Sequence, residues 1–117
     1  MLRTGLVGYG YWGPNLARNF NAHPAFSLVR IADMSENQRK RAAAAFPNVE
    51  VVAEPSVVRD PDIDVVVELI GGYGVARSLV LEAIAAGKHV VTANKALLAV
   101  YGTEIFAAAR QRGVVVA

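Results

Sequence analysis

No cysteine occurs among the 117 residues. That excludes a disulfide framework and any thiolate metal site, and it fits a reducing compartment. Charge of one sign is scarce as well: 12 lysines and arginines stand against 10 acids, a formal net charge of +2. Despite a sequence pI of 9.2, so small an excess argues against an electrostatic nucleic-acid footprint. Long apolar runs are missing, and no segment reaches the ~20 apolar residues that a membrane span needs. In "MLRTGLVGYG" glycines arrive before an apolar core of signal-peptide length can build. His23 and His89 have no pattern of metal ligands around them, so both read as structural and no metal site is expected. These absences lead to the expectation of one cytoplasmic domain over residues 1–117, with no membrane and no nucleic-acid partner.

What is present is core material. Apolar residues make up 54% and charged residues 19% of the chain, a globular rather than a disordered balance. Strand-like apolar runs alternate with helical patterns. Leu2 to Val7 reads as a first strand entering a glycine cluster; Pro14 then suits the first turn of a helix whose apolar face is Leu16, Ala17 and Phe20. "SLVRIAD" reads as a second strand ending at Asp33. Ser35 and Gln38 have capping-box spacing for a second helix that Pro47 ends. Val49–Val52 is a short third strand, followed by a turn or helical piece in "EPSVVRD". "IDVVVELI" is apolar along most of its length, as a strand covered on both faces would be. Val75, Leu79, Ala83 and Ala86 mark a third helical stripe, stopped by Gly87. "HVVTA" is the fifth strand, Tyr101 to Arg112 a fourth helix, and "VVVA" a sixth strand. The pattern predicts an α/β, doubly wound, mostly parallel six-stranded sheet, a Rossmann fold built from right-handed βαβ units.

"GYGYWG" places Gly8, Gly10 and Gly13 in G-x-G-x-x-G spacing, after a strand and at the opening of a helix. In that context the first glycine permits a tight turn, the second lets backbone approach a pyrophosphate, and the third lets helix and strand pack closely. The helix N-terminus then offers N–H groups and partial positive charge to phosphates. Tyr11 and Trp12 complete the loop and are cofactor-binding candidates with it. The bland alternative is a glycine-rich turn that holds no nucleotide. Asp33 lies 20 residues after Gly13. A carboxylate there can accept from ribose hydroxyls and repel a 2′-phosphate, favouring NAD while leaving NADP open; the alternative is a cap aspartate before Ser35. Arg39–Arg41 is within reach of a 2′-phosphate, but reads better as a solvated helix face.

Ligands of open α/β sheets bind beyond the carboxyl ends of the strands. Strand four ends in "ELIGG" and strand five in "TANK". Gly71 and Gly72 would let backbone lie against a flat ring or ribose, or simply turn the chain. Asn94 and Lys95 would project into the same crevice, where a lysine set against the local helix dipole calls for a polar or anionic ligand. Glu68, inside the end of strand four, reads as structural, paired with a backbone or side-chain donor.

From about Asp64 onward, "DVVVELIGGYGVARSLVLEAIAAGKHVVTANKALLAVYGTEIFAAA" closely resembles the cofactor domain of homoserine dehydrogenase, with "ELIGG" and "GKHVVTANKALLA" the specific parts. The first half, "GYGYWGPNLARNF", resembles instead the glucose–fructose oxidoreductase and inositol dehydrogenase family; homoserine dehydrogenases usually carry smaller residues where Tyr11 and Trp12 stand. The resemblance implies reversible interconversion of homoserine and aspartate semialdehyde with NAD or NADP. By it, Lys95 is the catalytic candidate, positioning substrate and nicotinamide, while Gly71 and Gly72 line the nicotinamide ribose. Both families continue into a second domain carrying most substrate contacts and the dimer interface. The resemblance therefore implies an isolated cofactor domain that binds nucleotide but turns over homoserine negligibly. A sugar-type dehydrogenase domain and a non-catalytic nucleotide-sensing module are the other readings.

Overall fold

β-branched runs pack as strands and alanine-rich segments wind between them, each burying its apolar side against the next. A computed structural model describes all residues, Met1–Ala117. In chain order the elements are β1 (Leu2–Val7), α1 (Gly13–Ala22), β2 (Phe26–Ala32), α2 (Glu36–Ala45), β3 (Glu50–Val52), a 3-10 turn (Ser56–Val58), β4 (Val65–Glu68), α3 (Gly74–Ala85), β5 (His89–Thr92) and α4 (Lys95–Arg112). Every strand pair is parallel, and the sheet order is β3-β2-β1-β4-β5. The winding reverses between β1 and β4, so their carboxyl ends open a crevice.

Burial on both faces explains the apolar run of β4. Val67 packs with Leu6, Ala17, Leu28, Ile31 and Ala42. Its neighbour Val66 points the other way, to Ala76, Val80, Ile84, Val90, Leu97 and Ile105. Alternation along a strand sends successive side chains to opposite faces. Each such side chain fully withdrawn from water contributes about 1.5–3 kcal/mol.

Three expectations need correction. The sheet has five strands, not six. Gly113, left-handed at φ +75°, returns the chain beside β5. There Val90 donates to the carbonyl of Val115 and accepts from the amide of Ala117, both at 2.9 Å. The pairing amounts to one isolated bridge, Val90 to Val116, rather than a ladder. Helix α4 starts at Lys95 rather than Tyr101, because the Asn94 side chain caps it by accepting from the Leu97 amide. The α3 stripe is turned by one residue: Ala76, Leu79, Val80, Ala83 and Ile84 are buried, while Val75 is 71% exposed.

One charged group is enclosed. Lys88, just before β5, is only 3% exposed. Its Nζ donates to the carbonyls of Asp60 at 2.5 Å and Ile63 at 2.7 Å. Burial holds its pKa below the usual lysine value, opposed by the nearby Asp64 carboxylate. Nothing in its local sequence, Gly87-Lys88-His89, marks it as buried.

Candidate functional site

The turn after β1 leaves little freedom at its first glycine. Gly8 sits at φ +102°, and a Cβ there would lie 3.0 Å from the carbonyl carbon of Leu69. A side chain is thus excluded both by conformation and by the neighbouring strand end. Gly13 is closed in by Gly8 and Tyr9: a Cβ would fall 3.1 Å from the Gly8 oxygen. Gly10 differs from both, for a Cβ there would meet nothing within 4 Å. The hollow in front of it is open.

Backbone donors face this turn without protein partners. Helix α1 has no side-chain cap, and the amides of Gly10, Tyr11, Trp12, Gly13 and Asn15 make no hydrogen bond within the protein. Pro14, at the start of the helix, has no N–H to satisfy. Free amides converging at a helix N-terminus form an anion receptor. A pyrophosphate fits it on both counts, the space and the donors.

Asp33 lies just past β2, half-buried. Oδ2 accepts from the Tyr9 amide at 2.7 Å and Oδ1 from the Ser35 amide at 2.8 Å. The carboxylate therefore ties the glycine turn to the start of α2, which Ser35 caps through the Gln38 amide. Each oxygen keeps a further lone pair for a ribose hydroxyl. Beside it runs a narrow apolar slot lined by Gly8, Met34, Pro55, Ile70 and Val75, which explains the outward turn of Val75. A flat heterocycle such as adenine suits such a slot.

The ends of β4 and β5 are knitted together by side chains. Glu68 is fully buried; Oε2 accepts from the amides of Ile70 at 2.8 Å and Gly71 at 3.2 Å, and Oε1 from Thr92 Oγ1 at 2.7 Å. The Thr92 hydroxyl accepts in turn from the Asn94 amide at 3.0 Å. Asn94 caps α4 by accepting from the Leu97 amide at 3.0 Å, and its Nδ2 donates to the Gly72 carbonyl at 2.6 Å. Both ends of that amide are engaged by protein. Asn94 thus shapes the site by holding Gly72, and Thr92 was missed altogether; the N-cap spacing from Asn94 to Leu97 was the available signal. Gly71 and Gly72 both take positive φ, +73° and +74°.

Lys95 follows at the first turn of α4, exposed and in no ion pair. It lines a 320 Å³ cleft with Trp12, Glu68, Gly71, Ala93 and Asn94. Trp12, 57% exposed, forms a wall of this cleft and packs edge-on against Tyr11 at 5.1 Å between ring centroids. Tyr11 itself is 85% exposed and touches the cleft only through Trp12. The anticipated residues thus fall into two sets, the glycine turn with Asp33 and the β4–β5 ends, with Trp12 standing between them.

Strand order, a glycine turn with free amides and a carboxylate after β2 define a dinucleotide-binding Rossmann domain. The family profile described as "Homoserine dehydrogenase, NAD binding domain" matches residues 8–117, and the chain belongs to that family. Homoserine dehydrogenase of Pseudomonas aeruginosa is 70% identical over 61 residues, 52% of this chain and 14% of the relative. That of Bacillus subtilis is 33% identical over 123 aligned residues, 96% of this chain and 28% of the relative. Among solved structures, the homoserine dehydrogenase of Thiobacillus denitrificans superposes with a TM-score of 0.79 at 42% identity, covering 98% of this chain and 28% of that one. Biliverdin reductase of Synechocystis, solved with biliverdin and NADP+, gives a TM-score of 0.84 at 28% identity, covering 98% of this chain and 37% of that one. The matched residues span 14% and 28% of these two curated relatives. No helix is long and apolar enough to cross a membrane.

Proposed function

We propose that residues 1–117 form the cofactor domain of a cytoplasmic homoserine dehydrogenase, which interconverts homoserine and aspartate semialdehyde and dimerises through its other domain. A bound nicotinamide dinucleotide supplies the hydride acceptor or donor. The free amides of Gly10, Tyr11, Trp12, Gly13 and Asn15 would hold its pyrophosphate, the slot beside Asp33 would take the adenosine, and the carboxylate would meet the ribose. Gly71 and Gly72, fixed by Glu68 and Asn94, let backbone lie along the nicotinamide end.

Lys95 then stands where substrate oxygen would lie, and its ammonium stabilises negative charge on that oxygen. Trp12 walls the cleft and limits water on one side. With the rest of the enzyme absent, the reacting groups are not held in register, and misplacement by ~1 Å can lower rate ~100-fold. The isolated domain is expected to bind cofactor and turn over homoserine negligibly.

The open hollow at Gly10 with its unpaired amides carries this reading. Calorimetric titration tests it. Binding of NAD that is abolished by Gly10→Val, with the melting temperature retained, supports the reading; no heat with NAD or NADP at millimolar concentration defeats it.

A further inference from the structure

Lys95 is placed by helix α4, and more than the sheet beneath it places α4. Helices α3 and α4 share one core cluster that includes Ala76, Val80, Ile84, Leu97 and Ile105. Apolar contact is non-directional, so this core alone does not fix how α4 is tilted or slid against α3. A polar contact does. Arg77, in the first turn of α3, pairs with Glu104 of α4 at 2.5 Å. Its guanidinium also lies over the Tyr101 ring, 5.1 Å from the centroid. That ring in turn meets Tyr73 edge-on, with 6.4 Å between centroids. Face and edge of one planar cation thus both hold α4.

We propose that Arg77 is a positioning residue that sets Lys95 against the Gly71–Gly72 turn. The inference rests on the homoserine dehydrogenase reading above. The contacts form a closed ring. The Gly72 carbonyl accepts from Asn94 Nδ2, Lys95 follows Asn94, and α4 leads on to Tyr101 and Glu104. From there Arg77 and Tyr73 bring the contacts back to Gly72, the residue before Tyr73. Turn and helix are therefore joined at two points, Asn94 and Tyr101, about 9 Å apart along α4. A single joint at Asn94 would act as a hinge. Two joints fix the helix axis, and with it the direction from which Lys95 enters the cleft.

Stability does not account for this pose. Arg77 Nε is buried and has no acceptor. The two side chains of the ion pair are 37% and 44% exposed, and pairs so open to solvent contribute little. A buried donor left unmet costs more than such a pair returns. A lysine would have no Nε–H to leave unmet, but it has no planar face to lay on the ring. Orientation of α4 is what the arginine adds.

Thermal melts and steady-state kinetics of homoserine oxidation test the proposal, in a full-length enzyme carrying this domain. Arg77→Met should lower kcat about tenfold, since small displacements of a reacting group are costly to rate. KM for NAD should change less than about threefold, and the melting temperature little. Tyr101→Leu, which keeps apolar volume but removes the ring, should act in the same way, and Arg77→Lys should fall between. If Arg77 works through Lys95, adding Arg77→Met to Lys95→Met should lower kcat by less than about twofold more. Values of kcat within about twofold of wild type in both Arg77→Met and Tyr101→Leu overturn the proposal. So does a full tenfold loss in the Lys95→Met background. A joint fall of kcat, cofactor affinity and melting temperature overturns it as well, because Arg77 would then be a brace for the fold. Failure of the wild type to oxidise homoserine with NAD or NADP overturns the functional reading itself, and this inference with it.

Discussion

Lys88 and Lys95 bracket β5, one before its first residue and one after its last turn outward, and their surroundings are opposite. Lys88 is enclosed and spends two of its three protons on the carbonyls of Asp60 and Ile63. Lys95 is exposed, in no ion pair, at the mouth of a cleft. The same contrast separates the two edges of the sheet. At the amino ends of the strands, Arg3 reaches Asp62 and Asp64 at 3.5 and 3.6 Å, so polar groups there are answered by protein. At the carboxyl ends, the amides of the glycine turn go unanswered. Polar groups satisfied internally hold a fold together; donors left open are available to a ligand.

Replacing the enclosed lysine should have the largest effect on stability. Lys88→Met keeps the stem but leaves the buried Ile63 carbonyl without a donor, while the Asp60 carbonyl keeps the Ile63 amide; an unmet carbonyl costs about 1–3 kcal/mol. Relief of the buried charge offsets part of this. Chemical denaturation should show a loss of about 2 kcal/mol, while NAD affinity measured on folded protein stays put. An unchanged midpoint would mean that the amino-end edge is not a structural edge at all.

Asn94 sits on the boundary between the two regions, and two substitutions separate its tasks. Asn94→Ala removes the cap on the Leu97 amide, worth about 1 kcal/mol, together with the bond to the Gly72 carbonyl. Asn94→Asp keeps an acceptor for the cap but loses the donor to Gly72. The Asp variant should therefore recover most of the stability and little of the cofactor affinity. Equal recovery of both would show that the Gly71–Gly72 conformation does not depend on that clasp.

Asp64 gives a smaller and pH-dependent effect. The Arg3 amide donates to its Oδ2 at 2.9 Å, and this bond, with the Arg3 charge, holds its pKa below 3.8 against the opposing effect of burial. The folded state thus keeps the carboxylate ionised at a pH where the unfolded chain has begun to protonate. Its contribution is complete above the unfolded value and is lost as pH falls through the folded one. Stability of Asp64→Asn should be flatter than wild type below about pH 4, and parallel to it at neutral pH. A slope identical to wild type in acid would remove Asp64 from the edge network.

Most of the fold could be read from periodicity and glycine spacing, because βαβ winding depends on patterns that repeat over many residues. The glycine turn was legible for the same reason: Gly8 and Gly13 meet backbone and ring atoms that a Cβ would strike. What escaped was decided by contacts between distant segments. Lys88 looks like any surface lysine until Asp60 and Ile63 close over it, 28 and 25 residues earlier in the chain. Asn94 read as a ligand contact because the Gly72 carbonyl, 22 residues away, is invisible locally. Helix α4 was begun late because Asn94, the cap that starts it, had been read as a ligand contact. The sixth strand failed because pairing, not β-propensity, makes a strand.

The exposed lysine should yield the smallest change in stability, and it tests the comparison most sharply. Lys95 occupies the first residue of α4, where a cation opposes the helix dipole. Lys95→Met loses no hydrogen bond and no ion pair, so stability should move by less than about 0.5 kcal/mol, upward if at all. In a full-length enzyme carrying this domain, the same substitution should lower kcat for homoserine oxidation about 100-fold or more, with cofactor affinity changed far less. Thermal melts of the domain and steady-state kinetics of the whole enzyme read the two arms. A variant that is markedly less stable would place Lys95 among the structural lysines with Lys88, and one that keeps full activity would leave this end of β5 without a chemical task for its charge. Only the combination of intact folding and lost turnover fits a cation left unpaired for the sake of a substrate.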